Sequence, residues 1–455
     1  MTGTPQKVGG FLLGAVLLAA AAPAQTFHNL YFMGDSSNEL TSVLPAHGGG
    51  YIATANFADA AALVKLQANG ELDWTFQYKD KGSALPLRAV KVHGAYQSYF
   101  WTGHQVGVDK NIPVLALTNV TGSVHWARRI ELGMNAEAKD LTYDEKSFWV
   151  AGTGWPGGGR ADPWFARFDT SGNAMWVHSF HFNNPCQLNS LTLADDGGVV
   201  GVGQVLVDIQ GALRQRMFAL KVDQTGTLKW AVYYEPHKVQ LPASQQWLAD
   251  ISNSGSVLYA AGVITDLCTD PLSPNCVPRP RSILAATIDH MSGSMQKVWA
   301  VYDPNGRDLW ANTIAGPIYR MAIGGKVDNP SGSEALLLSG VFEDPQATIL
   351  QARLYGDGAG PFTSQVEDVA SMDDGYVLVT QQRHNLLRPA ILRTDQNLST
   401  APAGQACEYS IPLQATSLLA AGKGLDAVRN THEISRMEID ETLIYPHKVP
   451  CTQLP

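Results

Sequence analysis

The sequence is poor in charge and in long apolar runs. Only 16 % of its 455 residues are Asp, Glu, Lys or Arg, and the formal net charge is −9. It has no basic run and an acidic balance that repels phosphate, so nucleic acid is excluded as a partner. One stretch, Phe11 to Ala22, is continuously apolar. It is shorter than the roughly 20 residues that a membrane-spanning helix needs. It follows Lys7 and leads into Ala22-Pro23-Ala24, small residues at the positions a signal peptidase reads. Residues 1–24 are therefore expected to be a signal peptide cleaved after Ala24. No later segment is long and apolar enough to span a membrane, so residues 25–455 are expected to be secreted, periplasmic or displayed at the cell surface.

Cysteine is scarce as well, with five in the chain. None lies in a Cys-x-x-Cys or Cys/His cluster with ligand spacing, so no metal site is expected. In an oxidising compartment Cys268 and Cys276 can close the proline-rich loop between them, and Cys407 and Cys451 can make a second, longer link. Cys186 is left over.

Turn formers are abundant, with 43 glycines and 25 prolines, and tryptophan occurs 11 times. The tryptophans mark a repeat. A turn residue, Gly, three residues and Trp occur as Gly70 to Trp74, Gly122 to Trp126, Gly172 to Trp176 and Gly226 to Trp230, about 50 residues apart. A fifth copy, Gly293 to Trp299, carries two extra residues. Upstream of each glycine lies a short alternating strand such as Ala62 to Leu66 or Met217 to Val222, and upstream of that another, such as Gly198 to Gly203. Glycine accepts φ > 0 in a tight hairpin. Tryptophan offers a large flat surface to fill the gap between twisted sheets.

Four short strands per repeat read as the blade of an all-β propeller, which must stack and close because one blade cannot bury both faces. The expectation is a single β-propeller domain over 25–455 with eight four-stranded antiparallel blades, seven being the alternative. The blades are placed at about 42–80, 88–131, 139–182, 189–235, 248–303, 311–365 and 366–413. The eighth joins 414–445 to 26–33, so that N- and C-terminal strands close the ring.

The pattern resembles secreted bacterial propellers whose blades read Asp-Gly-Gly-Tyr, Gly, Val-Lys-Leu-Asp, Gly, Trp. His47-Gly48-Gly49-Gly50-Tyr51 with Val64-Lys65-Leu66 is one such copy, and Asp195-Asp196-Gly197-Gly198 with Leu220-Lys221-Val222-Asp223 is another. The Gly-x-x-x-Trp part is similar to the tryptophan-docking motif of pyrroloquinoline-quinone-type propellers. That family binds a quinone and calcium in the central channel, and many members carry adjacent cysteines. No Cys-Cys pair and no matching set of calcium ligands stands here, so no cofactor is expected.

No catalytic residue stands out. The Asp195/Asp196 and Asp373/Asp374 pairs fall in hairpin turns, where Asp is favoured for local hydrogen bonds. Recognition is the better reading, because propeller loops surround a central funnel on a rigid scaffold. Two insertions offer the residue types of binding hot spots: Trp155, Arg160 and Trp164 in one, Arg279 and Arg281 in the other. The expected function is a non-catalytic binding or scaffold module for a protein or glycan at the cell surface. The alternative is a secreted hydrolase, lyase or quinoprotein-like enzyme acting in the funnel.

Overall fold

In the computed structural model the described residues are 26–450, apart from 33–37, 58–59, 82, 84, 96, 237–243, 255–256, 268–278, 317–319, 331, 343–346, 356–362, 384–386, 401–407, 411, 413, 419, 426, 438 and 444–446. All the regular structure among them is β-strand. Blade 1 is an antiparallel meander of Asn38–Pro45, Tyr51–Phe57, Ala60–Leu66 and Leu72–Asp80. Equivalent meanders follow at 87–131, 135–182, 186–236, 246–302 and 308–355 as blades 2 to 6. Blade 7 takes Thr363–Met372, Gly375–Arg383 and Leu387–Asp395, and its outer strand is the N-terminal Phe27–Phe32.

The blade count is therefore seven among the described residues, not eight. The N-terminal strand lies beside the chain's last meander, on Leu387–Asp395, as the outer strand of blade 7. Residues 414–445 do not fold back on themselves. They form a strap that lays one antiparallel strand on the outside of each blade in turn. Glu408–Ser410 lies on blade 6, Gln414–Leu418 on blade 5, Ala420–Gly424 on blade 4 and Ala427–Thr431 on blade 3. Glu433–Met437 then lies on blade 2, Ile439–Leu443 on blade 1 and His447–Pro450 on blade 7. A strap residue thus meets a new blade about every six positions, too few for the hairpin strands of an independent blade.

The Gly-x-x-x-Trp units hold neighbouring blades together. Gly70, Gly122, Gly172, Gly226 and Gly293 all have φ between 71° and 90°. Each also lies against the blade before it: a Cβ on Gly172 would meet the Trp126 ring at 2.6 Å, and one on Gly293 the Trp230 ring at 2.8 Å. The indoles of Trp176 and Trp230 donate to Gln224 O (3.0 Å) and His290 O (3.2 Å) in the next blade.

A second latch accompanies the first. The turn carbonyl accepts a hydrogen bond from the outer strand of the preceding blade: Tyr78 to Gly122 O (2.8 Å), Arg128 to Gly172 O (2.7 Å) and Tyr234 to Gly293 O (2.7 Å). Tyr355 reaches Leu398 O (2.7 Å), whose φ of 62° puts it in the glycine's place. Tyr31 of blade 7 reaches Gly70 O of blade 1 (2.7 Å), which carries the latch across the junction between the first and last blades.

Among the described residues seven separate apolar clusters lie between blades, one per interface. In the cluster between blades 7 and 1, Tyr31, Val377, Val379 and Ile391 pack with Leu40, Tyr51 and Val64.

Candidate functional site

Every innermost strand slips register at the same place. The irregularities fall between Leu40 and Ser42, Ala89 and Lys91, Ala138 and Asp140, Leu188 and Ser190, Leu248 and Asp250, Ala311 and Thr313, and Val366 and Asp368. A bulge leaves backbone groups without ladder partners and re-aims the side chains beside it. Here it turns one polar side chain per blade toward the axis.

The resulting ring is Ser42, Lys91, Asp140, Ser190, Asp250, Thr313 and Asp368. Its carboxylates take up the amides freed by the next bulge. Val43 N donates to Asp368 Oδ2 (2.9 Å), Leu191 N to Asp140 Oδ2 (2.9 Å) and Ile314 N to Asp250 Oδ2 (2.8 Å). Ser42 Oγ and Ser190 Oγ also donate, to Asp368 (2.7 Å) and Asp140 (2.6 Å). Carboxylates on blades 3, 5 and 7 thus alternate with hydroxyls on blades 4, 6 and 1. Seven is odd, so one position cannot alternate, and Lys91 of blade 2 occupies it.

Lys91 Nζ donates to Asp368 Oδ1 at 2.8 Å. Burial pulls this ammonium's pKa down, but Asp368, Asp140 and Asp250 together hold it above the usual lysine range. Those three carboxylates come from blades 7, 3 and 5, so the ring's side chains converge across the axis. Ser190 Oγ lies 2.6 Å from Asp140 and 2.5 Å from Asp250. One hydroxyl proton cannot serve both carboxylates. Burial pushes Asp140 up to about 6, against the pull of Lys91. Among the described residues no group of three His, Cys, Asp or Glu is disposed to hold a metal ion.

Two residues before each bulge stand Glu39, Arg88, Glu137, Gln187, Trp247, Trp310 and Gln365. All seven are half-buried. They sit at the end of the channel where the first and second insertions emerge, since Asn135 pairs with Trp155 and Gln246 with Ile264. Beside the polar ring these positions fall into three chemically distinct sectors.

On blades 5 and 6 the Trp247 and Trp310 rings lie 5.8 Å apart. Arg281 stacks over Trp310 at 4.2 Å, Lys326 Nζ lies 4.9 Å from the same ring, and the Trp310 indole donates to Asp328 (2.6 Å). On blades 7 and 1 stand Glu367 and Glu39. Burial, with Glu39 and Asp368 nearby, pushes Glu367 up to about 7, although Gln365 donates to it at 2.6 Å. On blades 2 and 3, Glu137 accepts from Asn111 (3.0 Å) and Lys139 (2.9 Å). Against burial, these partners and His104 hold Glu137 below its usual value, and burial lowers His104.

The residues singled out in the sequence are divided by the structure. Arg281 joins the Trp247–Trp310 sector, ion-paired with Asp308 at 3.2 Å and stacked on Trp310. Arg279 opens the same strand, and its side chain lies outside the description. Trp155 is half-buried at the rim, and Arg160 is exposed against His181, which in turn meets Asp162 at 3.0 Å. Trp164 is wholly buried in the cluster between blades 2 and 3, so it belongs to the core and not to a contact surface. Cys268, Cys276, Cys407 and Cys451 lie outside the described residues, as do residues 1–24. Cys186 is buried and free.

Trp247, Trp310, Glu39, Glu367 and the polar ring were missed, because none belongs to the glycine–tryptophan unit. A signal was present: Ala-Val-Lys-Val at 89–92 and Leu-Ala-Asp-Ile at 248–251 each place a charged residue third between apolar ones. A groove of about 710 Å³ also opens on the outer rim beside Trp176, His178, Thr225 and Arg429. Trp176 and His178 are docked there on Gln224 O and Gly226 O, so the groove follows from repeat packing.

No family model and no curated protein matches this sequence. Solved structures resemble it at low identity. An ulvan lyase of polysaccharide lyase family 25, bound to an oligosaccharide, aligns with a TM-score of 0.46 and 6 % identity over 80 % of this chain and 96 % of its own. The extracellular domains 1–2 of Drosophila Semaphorin 1b align with a TM-score of 0.45 and 10 % identity over 81 % and 86 %. The likeness is one of fold. No helix among the described residues is long and apolar enough to cross a membrane.

Proposed function

We propose that this chain is a secreted recognition propeller that takes a glycan into the wide mouth of its axial funnel. One observation supports the reading above others: two indoles from adjacent innermost strands, Trp247 and Trp310, lie together at the strand position that Glu39, Glu137, Gln187 and Gln365 hold on other blades. Sugar rings present apolar faces that stack on indoles, and hydroxyls that both donate and accept. Amides and carboxylates around an aromatic pair match both needs. The polar ring below, bonded from blade to blade, makes a floor.

The test is glycan-array screening of the secreted protein, followed by calorimetry with Trp247→Ala and Trp310→Ala. Loss of a stacking indole is expected to weaken binding by at least about tenfold. Unchanged affinity in both variants rejects the funnel as the site, and capture of a protein alone, with no glycan bound, rejects the ligand class.

A second reading rests on Glu367. A carboxyl with a pKa of about 7 beside another carboxylate is suited to proton transfer at neutral pH. It supports a secreted lyase or hydrolase in the same funnel. New reducing or unsaturated ends on a bound glycan, abolished by Glu367→Gln, would establish it over simple recognition.

A further inference from the structure

We propose that the groove on the outer rim between blades 3 and 4 binds a small amphipathic carboxylate, with Arg429 as the partner of its charge and Met175 and Trp176 as the surface for its apolar body. The groove is shaped by the point where the strap leaves blade 3. Ala427–Thr431 covers the outer strand Ala174–Phe182 only from Phe182 back to His178, where Thr431 is the last partner. His432 N still donates to Val177 O (2.9 Å), and the chain then crosses to blade 2, with Glu433 opposite Glu131. Met175 and Trp176 lie beyond that last partner, and Met175 keeps 54 % of its surface in solvent. The Thr225–Gly226 turn of blade 4 closes the other side.

Repeat packing accounts for this shape but not for its charge. Two positions after the tryptophan, blades 1 and 4 carry Phe76 and Val232, whereas blade 3 carries His178. The strap adds Arg429 and His432. Three basic side chains and no carboxylate therefore line the groove, in a chain whose net charge is −9. The acid of the adjoining turn, Asp223, is already engaged. It accepts from Thr225 N (2.9 Å), Thr225 Oγ1 (2.7 Å) and Thr227 N (3.0 Å), and Lys229 stands 3.6 Å away.

His178 is more than nine-tenths buried, and its Nδ1 donates to Gly226 O at 3.2 Å. Its Nε2 has no hydrogen-bond partner among the described residues. Arg429 Nη1 donates to the same carbonyl at 3.2 Å, and among the described residues no carboxylate pairs with this guanidinium. His432 is held by Ser179 Oγ at 2.8 Å. Burial, with Arg429 and His432 nearby, keeps His178 below the ordinary histidine value although Gly226 O pulls it up, and burial lowers His432 as well. A guanidinium with spare donors beside neutral imidazoles suits an anion. A carboxylate forms charge-assisted bonds to Arg429, and its charge draws a proton from solvent onto His178 Nε2, which then donates to it. Thioether and indole offer the apolar surface. The proposal is independent of the axial site and its ligand.

Calorimetry of the full-length protein with benzoate, benzamide and inorganic sulfate tests the site. Benzoate is expected to bind at least about tenfold more tightly than benzamide, which lacks the charge, and than sulfate, which lacks the apolar body. Arg429→Met changes one exposed strap residue and should weaken benzoate binding by about tenfold or more. At about pH 6.5 benzoate should bind with uptake of part of a proton, read from its enthalpy in buffers of different ionisation heat, and His178→Gln should abolish that uptake. No benzoate binding up to about 10 mM, or an affinity that Arg429→Met leaves unchanged, overturns the site. Benzamide or sulfate bound as tightly as benzoate overturns the ligand class. Proton uptake that persists in His178→Gln overturns the part given to the histidine.

Discussion

Replacing Lys91 by methionine removes the cation from a ring that keeps Asp140, Asp250 and Asp368 buried around the axis. The substitution nearly conserves length, so packing changes little and the effect is electrostatic. Removing one partner of a buried ion pair costs about 3–5 kcal/mol, because the other charge stays uncompensated. Asp368 retains Ser42 Oγ and Val43 N as donors, and Lys91 keeps 27 % of its side chain in solvent. The lower end of that range, about 3 kcal/mol, is therefore expected near pH 8. The loss should shrink in acid. Without the ammonium Asp140 takes up a proton more readily in the folded state, so its folded pKa, already raised by burial, moves further above the unfolded one. Stability then falls as pH rises through those values and recovers below them. Urea unfolding at pH 5 and pH 8 reads the difference, and Asp368→Asn added to Lys91→Met should restore part of the loss at pH 8. A loss under about 0.5 kcal/mol, equal at both pH values, would refute the view that the ring is an electrostatic unit.

Three further outcomes follow from the geometry. Asp140 has a folded pKa of about 6 against an ordinary 3.8. Its contribution, up to about 3 kcal/mol, is complete below pH 4 and lost as pH rises to 6, and Asp140→Asn should flatten that part of the urea-stability profile. Tyr234→Phe removes the donor to Gly293 O in a buried interface, so the urea midpoint should fall by an amount equivalent to about 1–2 kcal/mol. Gly172→Ala combines a φ of 77° with a Cβ 2.6 Å from the Trp126 ring. It should cost about 2–4 kcal/mol, whereas Gly211→Ala, with open space around it, should cost only the backbone strain of about 1 kcal/mol.

The blades were legible because their signals are local. A glycine at positive φ, an Asp or Asn folding back on its own turn, and period-two strands all act within a few residues. The same chemistry is seen at Asn119 and Asn397. Asn119 Oδ1 accepts from Thr121 N (2.9 Å) and Ser123 N (3.0 Å), while Asn397 N donates to Asp395 (2.8 Å). The strap was misread as three strands of an extra blade because a lone strand and a hairpin strand have similar patterns. Only the partner distinguishes them. Trp164 was misread for a related reason: an indole beside a glycine-rich loop can point outward or into the core, and the cluster that buries it draws on two blades.

From the sequence alone came the all-β repeat, its period of about 50 residues and the hairpin turns that set each blade, all consequences of short-range backbone preference. The number of blades, the strap that girdles them, the alternating polar ring and the meeting of Trp247 with Trp310 were decided in three dimensions. Each depends on residues far apart in the chain becoming neighbours, and such pairings are fixed by closing the ring, not by local propensity.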